Sequence, residues 1–335
     1  MAEARDAILT GVKAALSLHR DLGVREPLER TGGGRIDVFE AISKLGAALI
    51  FQPLDKLLGA YVPADEPGIL VTTRRSLPIQ RFTAAHELGH FTLRHQPSLD
   101  DQNILRRAPF NANSRVSRQE READAFASMF LAPAWLIALI VQRQGWLPER
   151  LLHPSTVYQL SLRLGTSYSA TCHVLERHKV LTRSQRERIA AIEPKEIKRA
   201  LLGGYEPLDW RSDVWLLTAR DEGVLVEGGK NDLFVVRLNE NSSAGYLWNF
   251  DELKAAGFGL VADSQDADSE RVGGLLTRTV TAQSSGRVSR DVTLLEQRPW
   301  MPEKALQQLH IRCELRGPEE PGMWEAELAR ALQAA

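Results

Sequence analysis

The spacing of apolar residues along the sequence changes once, at Gly203-Gly204. Before this point apolar residues recur mainly at helical spacing, with one short interval of strand-like runs between residues 47 and 72. After it, short β-rich runs alternate with clusters of Gly, Asn, Asp and Ser, which is typical of a sandwich or barrel. We therefore predict an α+β chain. A mainly helical domain with a small sheet spans residues 1–200, and an all-β domain with a closing C-terminal helix at 324–332 spans residues 205–335.

Composition excludes several classes of protein. The 42 Lys and Arg nearly balance the 43 Asp and Glu of the 335-residue chain, so no overall charge attracts nucleic acid or an anionic membrane. Cys172 and Cys313 are the only cysteines and form no metal-binding pattern, which argues against a disulfide framework and favours a reducing compartment. The N-terminus lacks the features of a signal peptide, and no apolar run is long enough to span a bilayer. These features predict a cytoplasmic protein that does not associate with membranes.

The segment with the clearest chemistry is His86-Glu87-Leu88-Gly89-His90, inside a helix predicted to begin at Pro78. Residues four apart lie on one helical face, so both imidazoles can bind one metal ion while Glu87 reaches a water at that ion. This combination suits zinc-dependent hydrolysis, in which the glutamate takes a proton from water and passes it to the leaving amine. The alternative is a chance pair of surface histidines.

A third ligand has to come from elsewhere. His95 lies about 180° from His86 around an ideal helix, so we predict that it is a cation at the helix C-terminus. The next predicted helix, from the N-cap Ser117 to Leu131, is a better source of donors.

In that helix Glu120 and Asp124 are four residues apart. One carboxylate could bind the metal while the other accepts the free N–H of a ligating imidazole. Glu122 points away from Glu120 and is predicted to be a solvated charge. The alternative, in which all three acids form surface ion pairs, stays open.

These segments, RFTAAHELGHFTLRH and EREADAFASMFLAP with the preceding strand interval, resemble the metallopeptidase domain of the ImmA/IrrE family over about residues 30–140. The resemblance implies a compact zincin-like peptidase with one Zn²⁺ per chain and a gluzincin-like ligand set. It implies that His86, His90 and Glu120 bind zinc and that Glu87 is the catalytic base. Asp124 stands where the family often has Asn. Such enzymes often act on intracellular regulators of stress or phage responses.

Residues 155–182 form a two-helix pattern around Gly165 that looks like a helix-turn-helix, with basic residues at its end. Helices of this kind can enter a DNA groove, but they also serve as packing elements. We favour packing, and a DNA-associated regulator remains the third functional alternative.

The β-rich half carries a second resemblance. The segments LNENSSAGYLWNF, Val272-Gly273-Gly274 and EQRPW resemble the three loops of chagasin-type inhibitors of cysteine peptidases, over about residues 210–315. The family's Asn-Pro-Thr-Thr-Gly appears here as Asn-Ser-Ser-Ala-Gly. The resemblance implies an immunoglobulin-like sandwich whose loops bind a protein partner. The residues it implies for that role are Asn241, Gly245, Tyr246, Gly273, Gly274, Arg298, Pro299 and Trp300. Alternatively, Tyr246, Trp248 and Trp300 are core aromatics of the sandwich.

Three functions follow, in this order. The first is a zinc endopeptidase that cleaves a specific intracellular protein, with the C-terminal domain recognising substrate or partner. The second is a protein-binding module or cysteine peptidase inhibitor with a structural or vestigial zinc site. The third is the DNA-associated regulator.

Overall fold

The computed structural model describes residues 2–96, 99–101, 117–267, 276–324 and 328. The chain divides into two compact units. The first comprises Met1–Leu139, Arg163–Leu181 and Pro318–Ala335, and the second comprises Ile140–Leu162 and Thr182–Gly317. The sequence-based domain bounds, residues 1–200 and 205–335, stay a prediction. The predicted α+β class and the helical and β-rich parts are confirmed.

The helices occupy mainly the first two hundred residues. In chain order they are α1 Ala2–Asp21, α2 Arg25–Thr31, α3 Val38–Lys44, α4 Leu77–Leu93, α5 Arg118–Leu131, α6 Ala134–Gln144, α7 Pro154–Leu164, α8 Tyr168–Arg177, α9 Arg183–Ala190, α10 Pro194–Leu202 and α11 Asp251–Ala255.

The strands form one sheet in the first unit and two in the second. In chain order they are β1 Ala48–Gln52, β2 Leu57–Val62, β3 Gly68–Thr72, β4 Leu99–Asp101, β5 Val214–Leu217, β6 Val224–Gly228, β7 Leu233–Glu240, β8 Leu247–Asn249, β9 Phe258–Ala267, β10 Leu276–Ser284, β11 Val288–Arg298, β12 Met301–Leu315 and β13 Gly322–Met323.

The sheet of the first unit has the strand order β13-β1-β3-β2-β4. Strands β1 and β3 are parallel, with Ala48 opposite Gly68, and the remaining pairs are antiparallel. Leu49 and Phe51 of β1 alternate with less buried residues, as expected for a strand with one face on the core. The short strand β13 comes from the C-terminal part of the chain, and its pairing with β1 explains why residues 318–335 belong to the first unit.

Helices α4 and α5 begin and end where local signals place them. Pro78 lies in the first turn of α4, and the hydroxyl of Ser117 accepts a hydrogen bond from the backbone N–H of Glu120 at 3.3 Å at the start of α5. Pro133 follows α5 and separates it from α6. These two helices carry the residues that the sequence analysis singled out.

The segment Arg118–Gln144 is long and apolar enough to cross a membrane by length and composition, but 67% of its apolar window is buried inside the fold. It consists of α5 and α6, and α5 also buries Glu120, Glu122 and Asp124. Burial within the protein therefore accounts for its apolar character.

Both helices of the helix-turn-helix pattern are present, as α7 and α8. The turn between them contains Gly165 with a φ of 65°, and a Cβ at this position would lie 2.4 Å from the guanidinium of Arg81. Helix α8 buries Thr171, Cys172 and Leu175, and Ser169 is its one largely exposed residue. A recognition helix has to present side chains to a groove. The burial of α8 therefore favours a packing role.

The sheets of the second unit have the strand orders β5-β7-β10-β9 and β6-β12-β11-β8. Apolar residues of both sheets, such as Phe234 and Val280 from one and Val292 and Ile311 from the other, share one core. The second unit is therefore a β-sandwich. Of the predicted closing helix at 324–332, only residues 324 and 328 lie among the described residues.

Helix α1 approaches α5 very closely at Gly11. A Cβ at this position would lie 2.1 Å from the carbonyl oxygen of Glu122 and 2.9 Å from the backbone nitrogen of Phe126. Backbone atoms cannot move aside as a flexible side chain can, so the two helices can pack in this way only with glycine at position 11.

We predict that Gly11→Ala destabilises the protein by about 1–3 kcal/mol, because the added methyl group overpacks the helix interface. In an unconstrained helix interior the same change stabilises by about 1 kcal/mol, so the expected sign is reversed. Urea denaturation measures the free energy of unfolding, with Thr10→Ala as a control expected to stay within about 0.5 kcal/mol. Equal or greater stability of Gly11→Ala would show that α1 is not packed on α5 in this way.

Candidate metal centre

His86 and His90 lie one turn apart on α4, and both are buried, with exposures of 0% and 2%. Their Nε2 atoms are 3.0 Å apart. Glu120 of α5 faces both rings: its Oε2 is 3.4 Å from Nε2 of His86, and its Oε1 is 3.6 Å from Nε2 of His90. The fold therefore brings the three predicted ligands together, and all their donor atoms lie within 4.8 Å of one another.

These spacings fit one small cation. Two atoms that each lie ~2.0–2.1 Å from a tetrahedral zinc ion are about 3.3 Å apart. The three observed separations lie between 3.0 and 3.6 Å. Two imidazoles and one carboxylate are also the ligand set of many catalytic zinc sites, which leave the fourth position open. The geometry and the donor types of these residues both suit Zn²⁺.

The hydrogen-bonding pattern behind the ligands shows which ring nitrogens are available. The Nδ1 atom of His86 lies 3.0 Å from Oδ1 of the buried Asp124. A carboxylate there favours a proton on Nδ1 and leaves a lone pair on Nε2. Asp124 therefore lies where the sequence predicted a carboxylate that orients an imidazole.

Glu87 is buried next to the ligands, with 1% of its surface exposed. Strand β2 passes close to it: a Cβ on Gly59 would lie 3.0 Å from Oε1 of Glu87 and 2.8 Å from the carbonyl oxygen of Leu70. Glycine at position 59 therefore leaves room for the Glu87 carboxylate beside the sheet. The sequence analysis did not identify this role, because nothing in the local pattern shows what lies across from Gly59.

Gly89 has a similar role on the other side of α4. A Cβ there would lie 3.1 Å from Cα of Ala123 and 3.2 Å from Cβ of Phe126. The absence of a side chain lets α5 approach α4 closely enough for Glu120 to reach the two imidazoles. Gly89 thus contributes to the site through packing, although it carries no functional group.

The structure overturns the sequence predictions for His95 and Glu122. Nδ1 of His95 lies 3.0 Å from Nδ1 of His90, so His95 touches a ligand instead of standing apart as a helix-terminal cation. Glu122 is buried instead of solvated, and its Oε2 lies 2.8 Å from Nε2 of His95. The reason is that α4 ends at Leu93 and Arg94 takes a left-handed φ of 54°, so ideal helical angles no longer apply at position 95.

Burial is the largest cause that lowers the pKa of His90, to about 3, and the neighbouring His86 lowers it further. Glu120 acts in the opposite direction. The imidazole of His90 is therefore neutral near pH 7 in the metal-free protein. A neutral imidazole has the lone pair that metal binding requires.

The predicted partner-binding residues of the second unit lie in two described segments. In the first, Gly245 has a φ of 79°, and a Cβ there would lie 2.6 Å from the ring of Trp300. In the second, the guanidinium of Arg298 lies 4.6 Å from the ring centre of Tyr246, and its Nε donates to the carbonyl of Ala244 at 3.2 Å. Residues 241–246 and 298–300 therefore contact each other through these side chains.

The remaining predictions for these loops have mixed outcomes. Gly273 and Gly274 lie outside the described residues. Trp248 is buried in the sandwich core, as its alternative interpretation stated, whereas Tyr246 is half-buried under Arg298. Trp300 is 67% exposed, and Pro299 beside it is also exposed.

A buried centre of two histidines and one glutamate on two packed helices, with a glutamate next to the first histidine, defines the metallopeptidase class of site. The family comparison agrees with this. Residues 42–176 match the model of peptidase family M78, described as the IrrE N-terminal-like domain. The match covers less than half of the chain and confirms the predicted resemblance of this segment to metallopeptidase domains of the IrrE type.

No curated protein matches the sequence. Among solved structures, the cysteine protease inhibitor EhICP2 from Entamoeba histolytica is 22% identical over 33% of this chain and 100% of its own, with a TM-score of 0.27. Amebosin is 18% identical over 31% of this chain and 98% of its own, with a TM-score of 0.25. Both cover the C-terminal region. A Mycobacterium tuberculosis transcriptional regulator is 12% identical over 84% of this chain and 80% of its own, with a TM-score of 0.32. Similarities this low carry no argument about function.

The lowered pKa of His90 leads to a prediction about acid stability. Below its unfolded pKa of 6.5 the unfolded chain binds a proton that the folded protein does not bind until about pH 3. The free energy of unfolding of the metal-free protein therefore falls as the pH is lowered through this window, by up to about 1.4 kcal/mol per pH unit for this group. Burial also lowers the pKa of His19 and His178, which act in the same direction.

Urea denaturation at several pH values between 7 and 4 tests this, comparing wild type with His90→Gln in the metal-free state. The wild-type stability should fall more steeply, and the difference in slope isolates the contribution of His90. Parallel curves would contradict a buried, neutral His90.

Proposed function

We propose that the protein is a zinc-dependent endopeptidase that cleaves a specific intracellular protein. The observation that supports this most directly is the convergence of His86, His90 and Glu120 with a buried Glu87 beside them. In a structural zinc site four protein ligands surround the ion, and no further carboxylate is needed beside them. A catalytic site has three protein ligands and uses an additional carboxylate such as Glu87 to activate water. Glu87 is explained by catalysis.

Each residue has a defined task in this proposal. His86 and His90, through Nε2, and Glu120, through its carboxylate, hold Zn²⁺. When bound, the ion supplies Lewis acidity that polarises a peptide carbonyl and acidifies water. Glu87 accepts a proton from the attacking water and then delivers it to the nitrogen of the leaving amine. Asp124 keeps the proton of His86 on Nδ1, so that Nε2 stays a ligand atom.

The surroundings of Glu87 suit this role. The carboxylate is almost fully buried, between α4 and the sheet at Gly59.

The biological setting is part of the proposal and rests on the resemblance to the ImmA/IrrE family. We expect a cytoplasmic enzyme that acts on a regulator of stress or phage responses. The nearly balanced charge of the chain indicates that substrate recognition depends on specific loops rather than on a broad electrostatic field.

Glu87→Gln should bind zinc normally and lose roughly 10²- to 10⁴-fold in cleavage rate, because the amide keeps the shape of the side chain but cannot accept the proton. Elemental analysis measures the zinc content, and N-terminal proteomics of the source cell with wild type or variant identifies the cut. Glu66→Gln, the same change at an exposed loop position, serves as the matched control and should cleave as wild type. Undiminished cleavage by Glu87→Gln would exclude this mechanism.

A second candidate function is protein binding by the sandwich loops, including inhibition of a papain-like cysteine peptidase. The observation that favours it is the pair of joined segments, in which Arg298 lies over Tyr246 and the exposed Trp300 lies against Gly245. Aromatic and Arg side chains in a preorganised arrangement are the residues that contribute most to protein interfaces.

For this candidate we predict that the wild-type protein inhibits papain and that Trp300→Ala weakens inhibition about tenfold or more, because an exposed anchor side chain is removed. Leu208→Ala removes another exposed apolar side chain of the same unit and should have no effect. Inhibition constants from a titration of papain activity provide the measurement. If wild type does not inhibit papain, or if both variants inhibit equally, this candidate is rejected and the peptidase proposal is unaffected.

A further inference from the structure

A chain of hydrogen-bonding groups extends from the ligand His90 away from the metal centre. Nδ1 of His90 lies 3.0 Å from Nδ1 of His95, and Nε2 of His95 lies 2.8 Å from Oε2 of Glu122. The other carboxylate oxygen of Glu122 accepts from Nε of Arg118 at 2.8 Å. The side chains of His95 and Glu122 are 7% and 8% exposed. Water therefore has little access to the two inner links.

The position of each proton in this chain follows from what each group can donate. Glu122 is next to a guanidinium and accepts at both oxygens, so Nε2 of His95 has to donate to it. In the neutral form of His95, the imidazole has only this one N–H, so its Nδ1 is an acceptor. Nδ1 of His90 then has to be the donor in the contact between the two rings. This leaves the lone pair of His90 on Nε2, the atom that faces His86 and Glu120.

The two ligating histidines are therefore oriented by different means. His86 has a carboxylate, Asp124, directly at its Nδ1 atom. Among the described residues, no acidic side chain lies at Nδ1 of His90; a second imidazole lies between it and the carboxylate of Glu122. The left-handed conformation of Arg94 makes this arrangement possible, because it turns the chain so that the backbone N–H of His95 donates to the carbonyl of His90 at 3.0 Å.

We propose that His95 is a positioning residue of the metal centre: it accepts the Nδ1 proton of His90 and so keeps the lone pair of His90 Nε2 on the metal. Glu122 and Arg118 hold His95 in the tautomer that this requires. The inference rests on the proposed metal centre. It goes further by giving a function to three residues, His95, Glu122 and Arg118, that are not among the proposed metal ligands.

The test compares His95→Gln with His95→Phe in the full-length protein. A glutamine amide can accept from His90 with its oxygen and donate to Glu122 with its nitrogen, whereas phenylalanine keeps the ring but can do neither. Competition with a chelator measures zinc affinity. We expect a loss of roughly 10- to 100-fold for His95→Phe, as is typical when a partner behind a metal ligand is removed, and substantial recovery in His95→Gln. His153→Phe removes an exposed histidine and should leave the affinity unchanged.

Long-range ¹H–¹⁵N NMR of the histidine rings provides a second readout that does not depend on metal. In the metal-free wild type His90 should carry its proton on Nδ1, and in metal-free His95→Phe it should populate both tautomers. A loss of packing alone would not produce this change. Thermal melting of the metal-free variants shows whether they are folded.

The outcomes separate the two hypotheses. If the wild type binds no zinc, the metal centre is rejected, and the tautomer of His90 in the metal-free protein still decides the role of His95. If the wild type binds zinc and His95→Phe has the same affinity and the same His90 tautomer, the positioning role is overturned while the metal centre stands. If His95→Gln is as impaired as His95→Phe, hydrogen bonding by residue 95 is not what matters, and the inference fails.

Discussion

The metal centre depends on how closely α5 approaches its neighbours. Gly89 on α4 and Gly11 on α1 both face α5. An added methyl group would overlap backbone atoms of α5 at Gly11, and at Gly89 it would lie only 3.1–3.2 Å from atoms of that helix. The carboxylate of Glu120 is short, so a helix separation set by larger side chains would leave it out of reach of the imidazoles. Two residues without side chains therefore determine whether the three functional groups form one site.

The close packing also creates an electrostatic problem. The α4 and α5 helices bury His86, His90, Glu87, Glu120 and Asp124, none of which is favourable to bury without partners. With Asp124 close behind His86 and His95 close behind His90, the Nε2 lone pairs face each other and a carboxylate, which is a repulsive arrangement of electron-rich atoms. A divalent cation at their centre converts this repulsion into attraction. The mutual repulsion of His86, His90 and Glu120 lowers the free energy of unfolding of the metal-free protein. Zinc binding removes this repulsion and so raises the free energy of unfolding.

Sequence reasoning succeeded where the physics is local. The ends of α5 follow from Ser117 and Pro133, and the shared face of His86 and His90 follows from helical geometry. It failed where a single backbone torsion or a distant pairing decides the outcome. The left-handed Arg94 returns His95 to the site, although no Gly or Asn marks that turn. Similarly, no pattern in the sequence shows that the two residues of β13 pair with β1, because the two segments lie about 270 residues apart in the chain.

The sandwich loop at Asn241 shows how a departure from a family pattern can be compensated. The resemblance leads one to expect a proline that would stiffen this loop, and the chain has Ser242 in its place. Instead, the buried carboxylate of Glu296 accepts from the backbone N–H of Asn241 at 2.6 Å and from its side-chain amide at 3.0 Å. A second buried carboxylate, Glu240, accepts from the backbone N–H of Trp248 at 2.9 Å and from Arg278 at 3.0 Å. Buried charges that are fully hydrogen-bonded hold a loop in one conformation, because any displacement would leave them without partners. A proline would restrict the loop through its own backbone torsion. Here the loop is restricted by hydrogen bonds to Glu296 of β11 and Glu240 of β7.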